Sequence, residues 1–299
     1  MTHWQQPSRI DRLGDARRDE AGVDTLARDE RARLMLFTRD GIPDLTDDGR
    51  PRVHELVESE RDDMLLGRAD GTIWWARVVV SVSGRSARLL DLGPTESELV
   101  MMAIALIEWH TTRPTCRQCG SDTVPAGGGA WRVCTGCRAP IFPRQDPAVI
   151  VAVTDPDDRL LLAHAVAWQR GRVSVLAGFV EAGESAEQAC HREIAEEVGA
   201  RLAEVTFAGS QPWPFPRSLM LGFTARAADA RLEVDGVEIG WARYFSRADL
   251  DAALATGEVT LPGPTSIARH LIDSWHGHPA GTVPLAGNPH PHGGSATSM

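Results

Sequence analysis

Short apolar runs separated by turn signals dominate the second half of the chain, and this pattern is typical of a β-sheet. It predicts strands at 149–153, 159–163, 173–176, 205–208, 219–225 and 242–245. Two further segments repeat apolar residues at helical spacing, one from Ser185 to Val198 and one that begins near Pro264. Mixed strands with two helices predict an α/β/α sandwich.

The first part of the chain has a less regular pattern. Apolar segments at 64–66, 74–76 and 78–80 predict short strands that Gly67 and Gly71 interrupt. Thr95 and Glu98 have the spacing of a capping box, which predicts a helix that extends to about Trp109. We therefore expect an N-terminal α+β domain at 1–110, in which the charged first 30 residues are loosely ordered.

Composition narrows the class of protein. Of the 299 residues 42% are hydrophobic, but the longest apolar run, at 99–107, is far shorter than the roughly 20 residues of a membrane span. No signal peptide is evident, so we expect a cytoplasmic protein without a membrane partner. A net charge of −10 argues against a protein that coats nucleic acid, although it permits recognition of one end in a pocket.

Every one of the 31 basic residues is arginine. Any group that binds phosphate here is therefore a guanidinium, which can donate two hydrogen bonds at once.

Four of the five cysteines form two Cys-x-x-Cys pairs in the middle of the chain: Cys116, Cys119, Cys134 and Cys137. Their spacing predicts a zinc ribbon at 111–143 with one Zn²⁺ per chain. Since all four ligands would be protein thiolates, no position remains open for catalysis, and the zinc is expected to be structural. The alternative, two disulfides, is disfavoured in a reducing compartment.

The end of the chain, 276–299, is rich in Gly, Pro and His. This composition favours a disordered tail over a metal-binding one.

Carboxylates converge on one face of the helix predicted between Ser185 and Val198. Glu193, Glu196 and Glu197 stand at i, i+3 and i+4, where like charges repel one another unless a cation neutralises them. Carboxylate oxygens favour hard ions such as Mg²⁺ or Mn²⁺. A solvated acidic helix face is the alternative interpretation of these three residues alone.

The opposite face of this helix is apolar and includes Cys190, which we therefore interpret as a buried core residue. Arg192 can pair with Glu196 one turn later and orient it.

A longer motif surrounds these glutamates. From Gly178 to Gly199 the chain reads Gly-x5-Glu-x7-Arg-Glu-Ile-x-Glu-Glu-x-Gly, and only Ala200 departs from the pattern, where a larger aliphatic is usual. The chain thus resembles the Nudix hydrolases, which cleave diphosphate linkages with divalent metals and an activated water. The resemblance implies that Glu193 and Glu197 are metal ligands, Glu196 a third ligand or a water-orienting base, and the Ala177 carbonyl a further ligand. It places the Nudix domain at 144–275.

The segment 210–218 carries three prolines, which hold it extended, and two aromatic residues, Trp213 and Phe215. Rigid aromatics beside a phosphate site suit stacking on a purine or nicotinamide ring. They could equally fill the core, and the residues alone leave the two interpretations open. Arg217 could pair with a phosphate.

The Nudix motif, the four-cysteine ribbon and Ser-Gln-Pro-Trp-Pro-Phe-Pro together resemble the bacterial NAD(H) diphosphatases of NudC type, over roughly 75–275. The resemblance implies hydrolysis of NAD(H) to nicotinamide mononucleotide and AMP, removal of NAD caps from RNA 5′ ends to leave 5′-monophosphate RNA, and a homodimer. It also implies these substrate contacts: Phe142, Gln211, Pro212, Trp213, Pro214, Phe215, Pro216, Arg217, Ser218 and Ala268.

One segment departs from this family. The family pattern Glu-aliphatic-x-Glu-Ala occurs here with Glu238, which keeps an implied metal ligand, but Trp241 replaces the second glutamate. Two alternatives follow: a Nudix hydrolase of another dinucleotide or ADP-ribose, and a catalytically dead regulatory module built from a zinc ribbon and a Nudix domain.

Overall fold

A computed structural model describes residues 3–112, 115–234 and 236–281. The chain forms three sheets in sequence order: one of four strands, one of three and one of six. Of the predicted disordered tail, 282–299 lies outside the described residues. The prediction is wrong for its first residues, because His276 ends a helix and Ala280 is buried in the core. Among the described residues no helix is long and apolar enough to cross a membrane.

The N-terminal region is a four-stranded sheet with the order β2-β1-β4-β3, preceded by a short helix. Its elements are α1 (Glu20–Ala27), β1 (Ala32–Thr38), β2 (His54–Glu55), β3 (Met64–Ala69), β4 (Thr72–Val79) and α2 (Pro94–Thr111). The two strands expected at 74–76 and 78–80 are one continuous strand. Gly67 does not end β3, because a register shift next to it lets pairing with β4 continue.

Helix α2 begins one residue before the predicted cap. Gly93 is the N-cap, Pro94 occupies the first helical position, and the Glu96 carboxylate accepts a hydrogen bond from the Gly93 amide at 3.1 Å. The capping box expected at Thr95 is therefore wrong: proline at the first turn has no amide hydrogen to leave unsatisfied. The apolar run at 99–107 packs against β1 and β3 in the N-terminal core.

The three-stranded sheet, which we call the cysteine ribbon, contains β5 (Thr123–Ala126), β6 (Trp131–Cys134) and β7 (Pro140–Ile141). It is joined to α2 by a buried polar network. Arg132 donates to Nδ1 of His110 at 2.9 Å, and Nε2 of the same ring lies 2.7 Å from the Gly129 carbonyl. Burial lowers the pKa of His110, so a neutral ring connects α2 to the ribbon.

The C-terminal region is built on the six-stranded sheet, in which β11-β12-β8-β9-β13 are neighbours and β10 pairs with β8. Its elements are β8 (Asp146–Thr154), β9 (Leu160–Ala165), β10 (Leu176–Phe179), α3 (Ala186–Val198), β11 (Leu202–Trp213), β12 (Ser218–Ala227), β13 (Ile239–Phe245), α4 (Arg247–Ala255) and α5 (Ile267–His276).

Alternate residues of β8 explain how the two faces of this sheet are covered. Val149 and Val151 belong to the core beneath α3, whereas Ile150 and Ala152 belong to the core beneath α4 and α5. The predicted α/β/α sandwich is confirmed. Cys190 is fully buried beneath α3, as expected of a core residue.

Three local expectations are wrong. The strand expected at 173–176 forms only isolated bridges there, and regular pairing begins at Leu176. Helix α4 was not expected, because its nine residues carry only a short apolar stripe. The segment 210–218 is not a single extended stretch: β11 and β12 pair directly, and the residues between them form a tight turn that we call the hairpin tip (214–217).

Candidate active site

A cavity of about 650 Å³ lies in the C-terminal region between the central sheet and the start of α5. Six residues singled out from the sequence line it: Ala177, Glu197, Gln211, Trp213, Glu238 and Ala268. Its size falls within the usual range for a small-molecule site, roughly 300–1,000 Å³. We call it the active-site cavity.

Helix α3 places the three glutamates in different surroundings. Its start is capped by Ser185 and Gln188, and its end by Gly199 in the left-handed conformation, so its register is well defined. Glu197 is buried and lines the cavity, whereas the side chain of Glu196 is 62% exposed. Glu193 and Glu196 do not line the cavity.

Arg192 holds Glu193 and Glu196 in place. Its Nη1 atom donates to Glu193 at 2.9 Å and to Glu196 at 3.1 Å, which confirms the predicted pairing with Glu196. The same guanidinium bonds Glu184 and the Phe179 carbonyl, and thereby ties the loop before α3 to the helix. Arg192 in turn holds the pKa of Glu184 below its usual value.

Gly178 is in direct contact with Glu193. A Cβ atom at this position would lie 1.9 Å from Cδ of Glu193. Any residue larger than glycine at position 178 would therefore displace the Glu193 carboxylate. The motif glycine therefore keeps β10 and α3 close together, with Ala177 next to it on the cavity wall.

Glu238 lies across the cavity from α3, just before β13. The sequence left the effect of Trp241 open, and the structure places this indole off the cavity. Trp241 stacks on His164, with ring centroids 5.9 Å apart, and packs against the core beneath α4 and α5. The missing glutamate is thus replaced by a packing residue that does not obstruct the site.

The two aromatics near the hairpin tip have different roles. Trp213 lines the active-site cavity, whereas Phe215 packs against the N-terminal core. Their rings meet edge to face with centroids 5.1 Å apart. Phe215 therefore fills the core, and stacking of a substrate ring stays a prediction for Trp213.

Gln211 is buried at the inner end of the cavity, and its amide is engaged by the backbone of the segment that starts α5. Its Nε2 atom donates to the Thr265 carbonyl at 2.8 Å, and its Oε1 atom accepts from the Ile267 amide at 2.7 Å. Gln211 thereby positions the first turn of α5, on which Ala268 reaches the cavity.

The other predicted substrate contacts lie elsewhere. Arg217 pairs with Asp146 at 2.9 Å, and Phe142 is 58% exposed outside the cavity. The remaining ones, Pro212, Pro214, Pro216 and Ser218, line smaller cavities on the other side of the hairpin.

Two cavity residues were missed by the sequence analysis. Arg88 of the N-terminal region lies over the Phe215 ring, 4.4 Å from its centroid, and lines the cavity together with Arg172. Burial and the charge of Arg172 lower the pKa of Arg88. No motif marks either residue, because only the folded chain brings 88 and 172 together.

The cysteine ribbon brings its four predicted ligands together. The four Sγ atoms all lie within 4.8 Å of one another, and the five cysteines are all free of disulfides. A hydrogen bond with Ser121 lowers the pKa of Cys119 to about 6, which favours the thiolate that binds metal. The cluster fits a tetrahedral metal site, and the disulfide alternative is wrong.

Comparison with known proteins shows the family to which the chain is similar. Residues 144–261 match the NUDIX domain family. The chain is 41% identical over 233 residues to the NAD-capped RNA hydrolase NudC of Mycobacterium bovis, covering 71% of this chain and 74% of that protein.

Further similarities are found among known proteins. The NAD-capped RNA hydrolase NUDT12 of Macaca fascicularis is 37% identical over 199 residues, which are 62% of this chain and 43% of that protein. A NUDIX hydrolase structure from Nitrosomonas europaea aligns with a TM-score of 0.43 and 21% identity, covering 56% of this chain and 94% of that one.

Proposed function

Because the chain belongs to the NudC-type Nudix hydrolases, which act on pyrophosphate bonds, we propose that its substrates are NAD-capped RNA and NAD(H). The products are 5′-monophosphate RNA from the capped end, AMP from the free dinucleotide, and nicotinamide mononucleotide from both. The observation that carries this proposal is one cavity in which two carboxylates, Glu197 and Glu238, accompany the aromatic ring of Trp213.

The donor set of the cavity fits a divalent cation. Mg²⁺ is usually held by one or two carboxylates together with substrate phosphates, and Mn²⁺ prefers the same oxygen ligands. Glu197, Glu238 and the backbone of Ala177 line the cavity and would hold it, with Glu193 and Glu196 on the adjoining turn of α3. Such an ion neutralises the non-bridging oxygens of a diphosphate and makes a water nucleophilic.

Residues of the chain itself then supply position and charge. Trp213 offers a ring on which nicotinamide or adenine stacks, and Arg88 and Arg172 bring two guanidiniums to the same cavity as counter-charges for the phosphates. Arg192 keeps Glu193 and Glu196 from repelling each other, and Glu196 is the candidate for orienting the attacking water.

Zinc is the ion that best suits the cysteine ribbon. Four thiolates in tetrahedral reach favour Zn²⁺, and such closed sites stabilise the fold and do not take part in chemistry. None of the four ribbon cysteines lines the active-site cavity, which agrees with a structural role for the zinc.

A homodimer is part of the proposal. Phe142 is a large hydrophobic residue that is 58% exposed, on the connection between the ribbon and β8. In the family this position belongs to the substrate site, and a second copy of the chain would account for a contact that lies outside the chain's own cavity. Sedimentation analysis of the wild type and of Phe142→Ser tests this assignment.

Product analysis tests the reaction. The enzyme is incubated with NADH, ADP-ribose, a diadenosine polyphosphate and an NAD-capped oligoribonucleotide, each with Mg²⁺ or Mn²⁺. We expect AMP and reduced nicotinamide mononucleotide from NADH, and a 5′-monophosphate end from the RNA. A clear preference for ADP-ribose or the diadenosine compound would assign another Nudix substrate, and no turnover with any metal would indicate a dead domain.

A further inference from the structure

A second cavity, of about 250 Å³, lies on the other side of the hairpin from the active-site cavity. Its floor is apolar and comes from α2, with Met101, Met102 and Leu106, and from Trp4. Trp213 lines both cavities, so the two are neighbours.

The charge of this second cavity is positive in a protein whose net charge is −10. Four arginines line it and only one acid, Glu98. That carboxylate is already engaged by the Ser8 hydroxyl and by the Arg9 amide. Of the arginines, Arg217 pairs with Asp146, which leaves three guanidiniums to consider.

Those three guanidiniums form no ion pair within the described part of the chain. Arg17 is only 7% exposed and donates to the backbone carbonyls of Leu65, Arg12 and Gly127. Arg12 contacts the Met102 sulfur at 3.4 Å, and Arg144 is exposed at the rim.

Arg17 and Arg12 repel each other, and an anion bound between them would relieve that repulsion. Burial and the charge of Arg12 lower the pKa of Arg17 to about 10, so the guanidinium remains charged at neutral pH. An anion in this cavity is therefore attracted by two guanidinium charges that no carboxylate of the described residues neutralises.

The combination of surfaces identifies a class of ligand. Met101 and Met102 are buried, whereas Trp4 and Trp213 are half-buried, so the two indoles are the rings on which a base would stack beside the guanidiniums, as in proteins that bind single-stranded nucleic acid. The volume of about 250 Å³ is slightly below the usual range for a ligand site, roughly 300–1,000 Å³, so the cavity is too small for a whole dinucleotide.

We propose that this second cavity binds the nucleotide that follows the cap in NAD-capped RNA, with its phosphate held by Arg12 and Arg144 and attracted by the buried charge of Arg17. The inference rests on the proposed function, because the RNA body is what distinguishes a capped RNA from free NAD(H). It assigns the recognition of RNA to the junction of α2 and the hairpin, outside the cavity that holds the carboxylates.

The test compares two substrates in one double variant, Arg12→Gln with Arg144→Gln. We expect the KM for a short NAD-capped oligoribonucleotide to rise about tenfold, while kcat/KM for NADH stays within about twofold. Since a single-stranded phosphate contact contributes about 0.7 to the salt slope, the slope of log kcat/KM against log salt should fall by about 1.4 for the RNA only.

A control carries the same change of net charge away from the cavity: Arg18→Gln with Arg201→Gln, whose side chains are 80% and 74% exposed. This control variant should leave the KM for capped RNA, the kcat/KM for NADH and the salt dependence of both reactions unchanged. Arg144→Gln alone provides a second variant that keeps the fold, because Arg144 is exposed and forms no ion pair with any residue that the structure describes. About half of the rise in KM for the capped RNA is expected from it.

Three results would overturn the inference: unchanged turnover of capped RNA in the double variant, an equal loss for NADH and capped RNA, or an equal loss in the control. Failure of the proposed function would be seen separately, because the wild type itself would then turn over neither NADH nor capped RNA.

Discussion

The cysteine ribbon and the active-site cavity both offer ligands for a metal, but they are built in opposite ways. In the ribbon, four sulfur atoms lie within 4.8 Å of one another, and two of the cysteines are buried. In the cavity, Glu197 is buried while Glu238 is exposed, and Glu193 and Glu196 of α3 lie outside the lining.

This difference follows from what each site has to accommodate. A site whose ligands all come from the protein can be complete before the ion arrives, and its binding energy then stabilises the fold. A site that acts on a diphosphate must leave positions for substrate oxygens and for water. We therefore expect damage to the ribbon to appear as lost stability, and damage to the cavity as lost turnover.

The largest effect is expected from the ribbon. Cys134→Ser removes a buried ligand, and structural zinc sites contribute about 10 kcal/mol in small zinc-binding peptides. We expect loss of bound zinc and a lower melting temperature, measured by elemental analysis and calorimetry. Cys190→Ala, in the core beneath α3, is the control that should keep its zinc. Equal zinc content in both variants would contradict the assignment.

The next effect separates two neighbouring glutamates. Glu197→Gln should lower kcat roughly 10²- to 10³-fold with little change in melting temperature, because it removes a charge from the cavity. Glu196→Gln keeps an oxygen that can accept a hydrogen bond from the attacking water, on a side chain that is 62% exposed, and should cost about tenfold or less. Release of AMP from NADH measures both. An equal loss of turnover in the two variants would contradict the different roles of Glu197 and Glu196.

A smaller effect is expected at Gly178. Alanine there would push the Glu193 carboxylate away from Arg192, and because that carboxylate ends a flexible side chain, its position should change more than the stability of the fold. We expect more Mn²⁺ to be needed for half-maximal turnover, as shown by metal titration. Gly240→Ala is the matched control, since its Cβ would lie no closer than 3.6 Å to any neighbour. A normal metal titration for Gly178→Ala would show that the close contact has no role in the site.

The smallest effect concerns pH. Arg192 holds the pKa of Glu184 below its ordinary value of 4.5, so the ion pair contributes stability above about that pH. The contribution is lost as the pH falls through the lowered pKa. Melting temperatures of the wild type should therefore fall more steeply below pH 4.5 than those of Glu184→Gln. The exposed Glu187→Gln should follow the wild type, and parallel curves for all three would contradict the pairing.

The local pattern of the chain was enough to predict most of the sheet and the helix of the motif. Ser185 and Gly199 bound α3 because a side-chain cap and a left-handed glycine act within a few residues. The ligand spacing of Cys116, Cys119, Cys134 and Cys137 predicted their cluster for the same reason: each pair is already close in sequence. Apolar periodicity likewise predicted which side of α3 is buried.

The tertiary structure alone decided which of the predicted residues share a site. Trp213 and Phe215 are two residues apart in a strand and turn, yet one reaches the cavity and the other the N-terminal core. Arg88 joins the cavity from another part of the chain, and Gln211 supports α5 from within. Sequence patterns report contacts over one or two helical turns, whereas these contacts depend on how separate elements pack, which no local spacing records.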